Sequence, residues 1–153
     1  MFVILMLLCV VADARQQSQQ PIVNLIKLAG LSVSEVESIM GKSNYTDKIT
    51  DEYGFFREYK VNGNKHGLLV RYSHERAVGF VLRLPKAVDS PETALQMAGI
   101  DIGRKDSSVR EPHRVQWLDI SIDGLEFEYV RVSMERYPEK RKYDAVRVQI
   151  VPK

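Results

Sequence analysis

Gly30-Leu31-Ser32-Val33-Ser34-Glu35-Val36-Glu37-Ser38-Ile39-Met40-Gly41-Lys42 reads as a short helix with a signal at each end. Ser32 supplies an N-cap oxygen, and Glu35 completes a Ser-x-x-Glu capping box, so each side chain satisfies a backbone N–H at the helix start. Leu31 and Val36 stand at the two positions of a hydrophobic staple. Val36, Ile39 and Met40 share one face of the predicted helix, and Gly41 is placed to end it in the left-handed conformation. The pattern returns in Ser90-Pro91-Glu92-Thr93-Ala94-Leu95-Gln96-Met97-Ala98-Gly99. A punctuated helix that recurs predicts a chain built of two related halves.

Outward from these helices the halves read alike. Arg15–Gln20 is a polar spacer, and Pro21 suits the first turn of a helix with Ile22, Leu25, Ile26 and Ala29 on one side and Gly30 as the stop. After the polar stretch Lys42–Asp51 the hydrophobic period changes to two. Tyr53–Val61, Leu68–Ser73 and Val78–Leu84 read as strands, separated by a loop at Asn62–Gly67 and a turn at His74–Ala77, with Pro85 closing the third. In the second half the helix Pro91–Ala98 leads through a polar loop to Pro112. Strands Val115–Ser121 and Leu125–Met134 flank the hairpin dipeptide Asp123-Gly124, and Ala145–Val151 follows a charged tip at Glu135–Lys142.

The order is ααβββ then αβββ, a pseudo-repeat of half 21–86 and half 87–153 within a single domain, 21–153. Short turns make consecutive strands antiparallel neighbours. A helix buries its apolar stripe only against the apolar face of such a sheet. The expected fold class is therefore α+β, with short helices packed on one face of an antiparallel sheet and the other face open to solvent.

Alternation assigns the faces. Leu68, Val70, Tyr72, Val78, Phe80, Leu82, Val146, Val148 and Ile150 fall on the core side, and Arg71, Arg83, Arg147 and Gln149 on the other. The same rule puts Leu118 and Ile120 inward and Trp117 and Asp119 outward. The fifth strand, Leu125–Met134, is ambiguous: if Val130, Val132 and Met134 face in, Phe127, Tyr129 and Arg131 face out; the first strand has aromatics on both sides and is also ambiguous. The outward set Arg71, Arg83, Trp117, Tyr129, Arg131 and Arg147 combines residue types enriched in interface hot spots, and is the candidate binding set. Its alternative role is cross-strand pairing with Glu126, Glu128 and Asp119.

The bulk numbers bound the function. A chain of 153 residues, 44% hydrophobic and 27% charged, suits one soluble globular domain. A net charge of +2 is too balanced to mark a nucleic-acid binder. Met1–Val11 is an apolar run, shorter than the roughly 20 residues that span a bilayer, and Ala12-Asp13-Ala14 fits a small-x-small cleavage site. Residues 1–14 therefore read as an export signal, with a mature protein starting at Arg15 in the periplasm, the cell envelope or the medium. Membrane contact would then be peripheral or through a partner. The only cysteine, Cys9, lies in that segment, and Leu7 and Leu8 before it do not make a lipidation signal.

Catalytic patterns are weak. His66, His74 and His113 stand in or beside turns without metal-ligand spacing. Asp51-Glu52 and the Glu126/Glu128 pair are the nearest to an acid–base dyad, and alternating glutamates on a strand suit a solvated edge. No phosphate loop, nucleophile elbow or metal cluster is present, so no catalytic residue, metal or cofactor is expected. Asn44-Tyr45-Thr46 matches a glycosylation acceptor, and Arg136, Lys140, Arg141 and Lys142 make a basic tip interrupted by Glu135 and Glu139.

The run from Gly30 through Gly41-Lys42-Ser43 resembles the opening helix of small SmpA/OmlA-type envelope lipoproteins, which begin Gly-apolar-Thr/Ser and close with apolar-Gly-x-Pro; Ser43 stands where the Pro is usual. That fold is similar to one repeat of the β-lactamase-inhibitor-protein fold, and two such halves look like the inhibitor's tandem arrangement. The resemblance implies an exported, non-enzymatic protein that binds a protein partner, as an envelope scaffold component. The alternatives are a secreted inhibitor of a hydrolase, or a small-molecule carrier or small hydrolase with a pocket between helices and sheet.

Overall fold

The computed structural model describes residues 20–48, 54–136 and 138–151. The proposed signal and Cys9, the spacer up to Gln19, and Asp51-Glu52 lie outside the described residues. The elements are α1 (Leu25–Leu28), α2 (Val33–Met40), β1 (Tyr45–Lys48), β2 (Phe55–Val61), β3 (Asn64–Ser73), β4 (Arg76–Val88), α3 (Pro91–Met97), β5 (Val109–Glu111), β6 (Arg114–Ile122), β7 (Leu125–Ser133) and β8 (Tyr143–Ile150). They form the α+β fold that the pattern predicts. The strands make one antiparallel sheet of eight in the order β1-β2-β3-β4-β8-β7-β6-β5. Each half is a meander, and the two join where their last strands pair, β4 against β8.

Both edge strands were expected as loop. β1 and β5 are short and polar, which suits an edge that must not recruit other chains but leaves little periodicity to detect. Asn62-Gly63 makes a two-residue hairpin rather than the longer loop: both residues have positive φ, 45° and 81°, and Val61 pairs with Asn64. Asp123-Gly124 turns in the same way, with φ of 51° and 77°. β4 runs on past Pro85, because its pairing with β8 lapses between Arg83 and Val88, where the missing N–H is not needed.

α1 is shorter than the pattern suggests. Pro21 and Ile22 precede it, and Asn24 caps it by accepting the Lys27 N–H at 3.0 Å. In α2 the capping box forms as read: the Ser32 N–H donates to Glu35 Oε2 at 2.8 Å, and Glu35 N–H to Ser32 Oγ at 3.4 Å. Val36 is fully buried and Met40 packs against the core, but Ile39 is 60% exposed, so the buried edge runs Val33–Val36–Met40 instead. Gly41 stops the helix at φ 82°, ψ 176°, a mirror-image extended conformation open essentially to glycine, rather than the left-handed helical one.

α3 lies over the junction of the two meanders, against β4, β7 and β8, and α2 lies over β2. Ser90 caps α3 by accepting the Thr93 N–H at 3.1 Å. At its end the carbonyls of Met97 and Ala98 accept the N–H groups of Ile22 and Leu25, each at 2.9 Å. Gly99, with φ of 67°, lets Asn24 approach so closely that a Cβ would sit 2.8 Å from its Cα. The entry of α1 thus seals the exit of α3, and the halves share one core from Leu25 and Leu28 through Val70 and Leu82 to Val130 and Val148.

Candidate binding face

The face turned away from the helices follows from register. One row across the strands is Phe56, Arg71, Gly79, Gln149, Tyr129 and Leu118; the next is Leu69, Val81, Arg147, Arg131 and Gln116. Arg83, Ala145 and Ser133 continue it. The neighbouring residues in each strand, among them Leu68, Val70, Phe80, Leu82, Val130, Val132, Val146 and Val148, are buried under the helices. Five of the six candidate residues, Arg71, Arg83, Tyr129, Arg131 and Arg147, therefore lie on one open face.

Three of the arginines sit in different environments. Arg147 is clamped: its Nε and Nη2 donate to the two carboxylate oxygens of Glu135 at 2.8 and 3.1 Å. The Ser133 hydroxyl donates to the same carboxylate at 2.9 Å. The Arg147 hydrogen bond holds the Glu135 carboxyl below its ordinary range and raises the Arg147 guanidinium in return. Arg131 is stacked: its Nε donates to Gln116 Oε1 at 2.8 Å, and the guanidinium lies 5.1 Å from the centre of the Tyr129 ring.

Arg71 is different. It is half-buried, and among the described residues it makes no hydrogen bond or ion pair. It crosses Gly79, where an added Cβ would stand 3.3 Å from its Cβ and its Nε and 2.9 Å from Gln149 Oε1. Glycine at this row leaves room for the guanidinium to lie against the sheet. A depression of about 380 Å³ opens here, lined by Phe56, Leu69 and Val81, by Arg71 and Arg147, and by Glu128, Tyr129 and Gln149. That volume is within the range of ligand-binding concavities, about 300–1,000 Å³.

Trp117 does not belong to this face. It is 4% exposed on the helix side, opposite Val130, and its indole N–H donates to the Lys105 carbonyl at 3.1 Å. Leu118, expected inside, is 38% exposed beside Tyr129, and in β7, whose faces the pattern leaves ambiguous, Phe127 is buried together with Val130 and Val132. The cause is a change of phase in two neighbouring strands. Asp119 has a positive φ of 47°, and the β7–β8 register shifts between Phe127 and Tyr129. Such a bulge moves every later side chain to the other face. Val115 and Trp117 point in before it, Ile120 and Ile122 after it; unbroken period two admits only one of those pairs.

The remaining candidates scatter. Glu126 and Glu128 line different concavities, one at the Ile150 end of the sheet and one on the open face. His74 and His113 are exposed in two-residue turns, and the His66 side chain lies outside the described residues. In the basic tip, Arg136 pairs at 2.9 Å with the buried Asp144, which also accepts the Glu135 and Arg136 backbone N–H groups. Lys142 pairs with Asp89 at 3.3 Å. A further cleft of about 660 Å³ between α3 and the β5–β6 edge is lined by mixed charge, including Glu92, Asp101, Arg104 and Arg110, with Trp117 beneath. Gly79, Val81 and Glu135 were missed as parts of the face. Small and aliphatic residues carry no binding signature, and Glu135 reaches Arg147 only through the fold.

No family model matches the chain, and no curated protein matches it. Two crystal structures are partly similar. One is a cysteine-rich secretory protein from Staphylococcus aureus, 14% identical, with a TM-score of 0.45 over 86% of this chain and 48% of that one. The other is an extracellular protein containing a SCP domain from Bacillus anthracis, 9% identical, with a TM-score of 0.46 over 92% of this chain and 50% of that one. The chain spans about half the length of each, and likeness at this level assigns neither family nor activity.

Proposed function

We propose that the chain is an exported, non-enzymatic module that binds a protein partner through its open sheet face. The reading rests above all on one observation: the depression around Arg71, with an apolar floor of Phe56, Leu69 and Val81 and a guanidinium on either side of Gly79 and Val81. Aromatic and aliphatic surface beside arginine forks is the composition of interface centres. The resemblance of Gly30–Ser43 to SmpA/OmlA-type domains agrees with this, as does the tandem-inhibitor arrangement, which uses a sheet face. The non-enzymatic part rests on the weakness of catalytic patterns in the sequence, and the export part on the sequence of Met1–Ala14.

The test is crosslinked affinity capture from the native host's envelope and medium, comparing wild type with Val81→Asp. The substitution replaces part of the apolar floor by a carboxylate that competes for the guanidiniums of the depression. One stoichiometric protein retained by wild type and lost by a folded Val81→Asp variant supports the reading. Equal capture by both moves the interface elsewhere on the molecule.

A further inference from the structure

We infer that the open face takes an extended, acidic segment of the partner protein, with one carboxylate seated on Arg71 and apolar side chains on either side of it. The inference rests on the protein-binding reading and specifies its chemistry. Charge complementarity carries it. Arg147 has spent its fork on Glu135, and Arg131 is held by Gln116 and Tyr129. Arg71 alone of these three has no acceptor among the described residues, although its five N–H donors suit the two oxygens of a carboxylate. It is also part-desolvated, and Gly79 lets it lie low, so an arriving anion meets a guanidinium with little competing water.

The surroundings set the length and pattern of the segment. Phe56 and Tyr129 stand at the ends of the row that runs over β2, β3, β4, β8 and β7. Strand spacing makes that row about 19 Å long, which an extended chain crosses in about six residues. The acidic side chain falls one strand in from Phe56. Apolar side chains flanking it reach Phe56 on one side, and Val81 and Tyr129 on the other. Glu128 lines the depression and disfavours a long run of acids, so the expected motif is one or two carboxylates among apolar residues.

The experiment is selection of random dodecapeptides on the immobilised full chain. The enriched peptides are then titrated by fluorescence anisotropy against wild type, Arg71→Gln, Arg71→Lys, Val81→Asp and, as a remote control, Arg104→Ala. Circular dichroism checks that each variant folds. The expected result is enrichment of Asp or Glu beside aromatic or aliphatic residues. Arg71→Gln should raise Kd at least tenfold, Arg71→Lys by less, and Arg104→Ala not at all. Replacing the peptide's acid by its amide should cost wild type the same factor and Arg71→Gln little more.

Peptides lost by Val81→Asp but indifferent to Arg71→Gln would overturn the assignment to Arg71 while leaving the binding face in place. Peptides indifferent to both variants would overturn the face as well. No enrichment, with binding of a sulfated oligosaccharide or inorganic phosphate that Arg71→Gln abolishes, would overturn the choice of a protein segment. No enrichment and no anion binding would overturn the inference, and the capture experiment would then decide the broader reading separately.

Discussion

The two halves repeat the same order of helix and meander, yet they finish differently, and the difference decides where the face is open. In the first half β3 and β4 are joined by a two-residue turn, His74-Glu75. In the second, β7 and β8 are joined by the long tip that begins at Met134. That tip is moored at its base by Asp144, and from there Glu135 folds over the sheet to clamp Arg147. The first half has no such tip, and Arg71 is left uncovered. A duplicated scaffold thus gives one half a sealed arginine and the other an available one.

The cores differ in a parallel way. Each half buries an aromatic with a polar tip, and each tip needs a partner. The first half pairs two of them, Tyr59 and Tyr72, whose hydroxyls are 2.7 Å apart, with Phe55 stacked on Tyr72. The second half sends the Trp117 N–H to the carbonyl of Lys105, tying down the loop between α3 and β5.

The most severe break in the comparison is Trp117→Ala. Removing a buried indole should cost about 4 kcal/mol, read as a fall in the urea midpoint; a loss of partner binding without loss of stability would return Trp117 to the face. Next is Tyr72→Phe, which leaves the buried Tyr59 hydroxyl unpaired and should cost about 1–2 kcal/mol. Burial raises both tyrosines above their ordinary value of 10.0. A raised acid stabilises the fold fully below that value, and its contribution is lost as pH climbs above it. Wild type should therefore lose stability on passing pH 10.0, and Tyr72→Phe should lose it less steeply.

A smaller effect of opposite sign tests the turns. His74 and Glu75 have φ of 48° and 62°, where a side chain is strained, whereas the Asn62-Gly63 and Asp123-Gly124 turns, one in each half, place glycine second, at φ 81° and 77°. Glu75→Gly should stabilise by about 1 kcal/mol, and Gly124→Ala should destabilise by a similar amount; thermal melts of the pair would show whether the turns are equivalent. The smallest effect separates the two arginines. Glu135→Gln should cost about 0.5 kcal/mol, because the Arg147 pair is part-exposed and screened. Glu135 is held below its ordinary value of 4.5, so the pair's contribution is present above that pH and lost as pH falls below it. Arg71→Gln should leave stability unchanged within about 0.5 kcal/mol at either pH. A larger loss would mean that Arg71 is structural.

Local signals were the ones that could be read along the chain. Capping at Ser32 and Ser90, the Asp123-Gly124 turn and the outward placement of Arg71, Arg83 and Arg147 depend on residues near one another in sequence, and each was legible. Ile39, Leu118 and Trp117 were misplaced and the strand of Phe127 stayed ambiguous, because helix length and bulges reset the phase that the pattern assumes constant. The short strands β1 and β5 were missed for a related reason: an edge strand is held by the ladder it joins and needs no hydrophobic face of its own.

By itself, then, the sequence determined an α+β chain of two similar halves with arginines on the side of the sheet away from the helices. Those properties follow from propensity, capping and period, which act within a few residues. Only the tertiary structure decided that β4 pairs with β8, that Trp117 lies in the core, and that Glu135 closes on Arg147 while Arg71 stays open. These depend on contacts between residues far apart in the chain, where a single shift of register reverses which side chains meet.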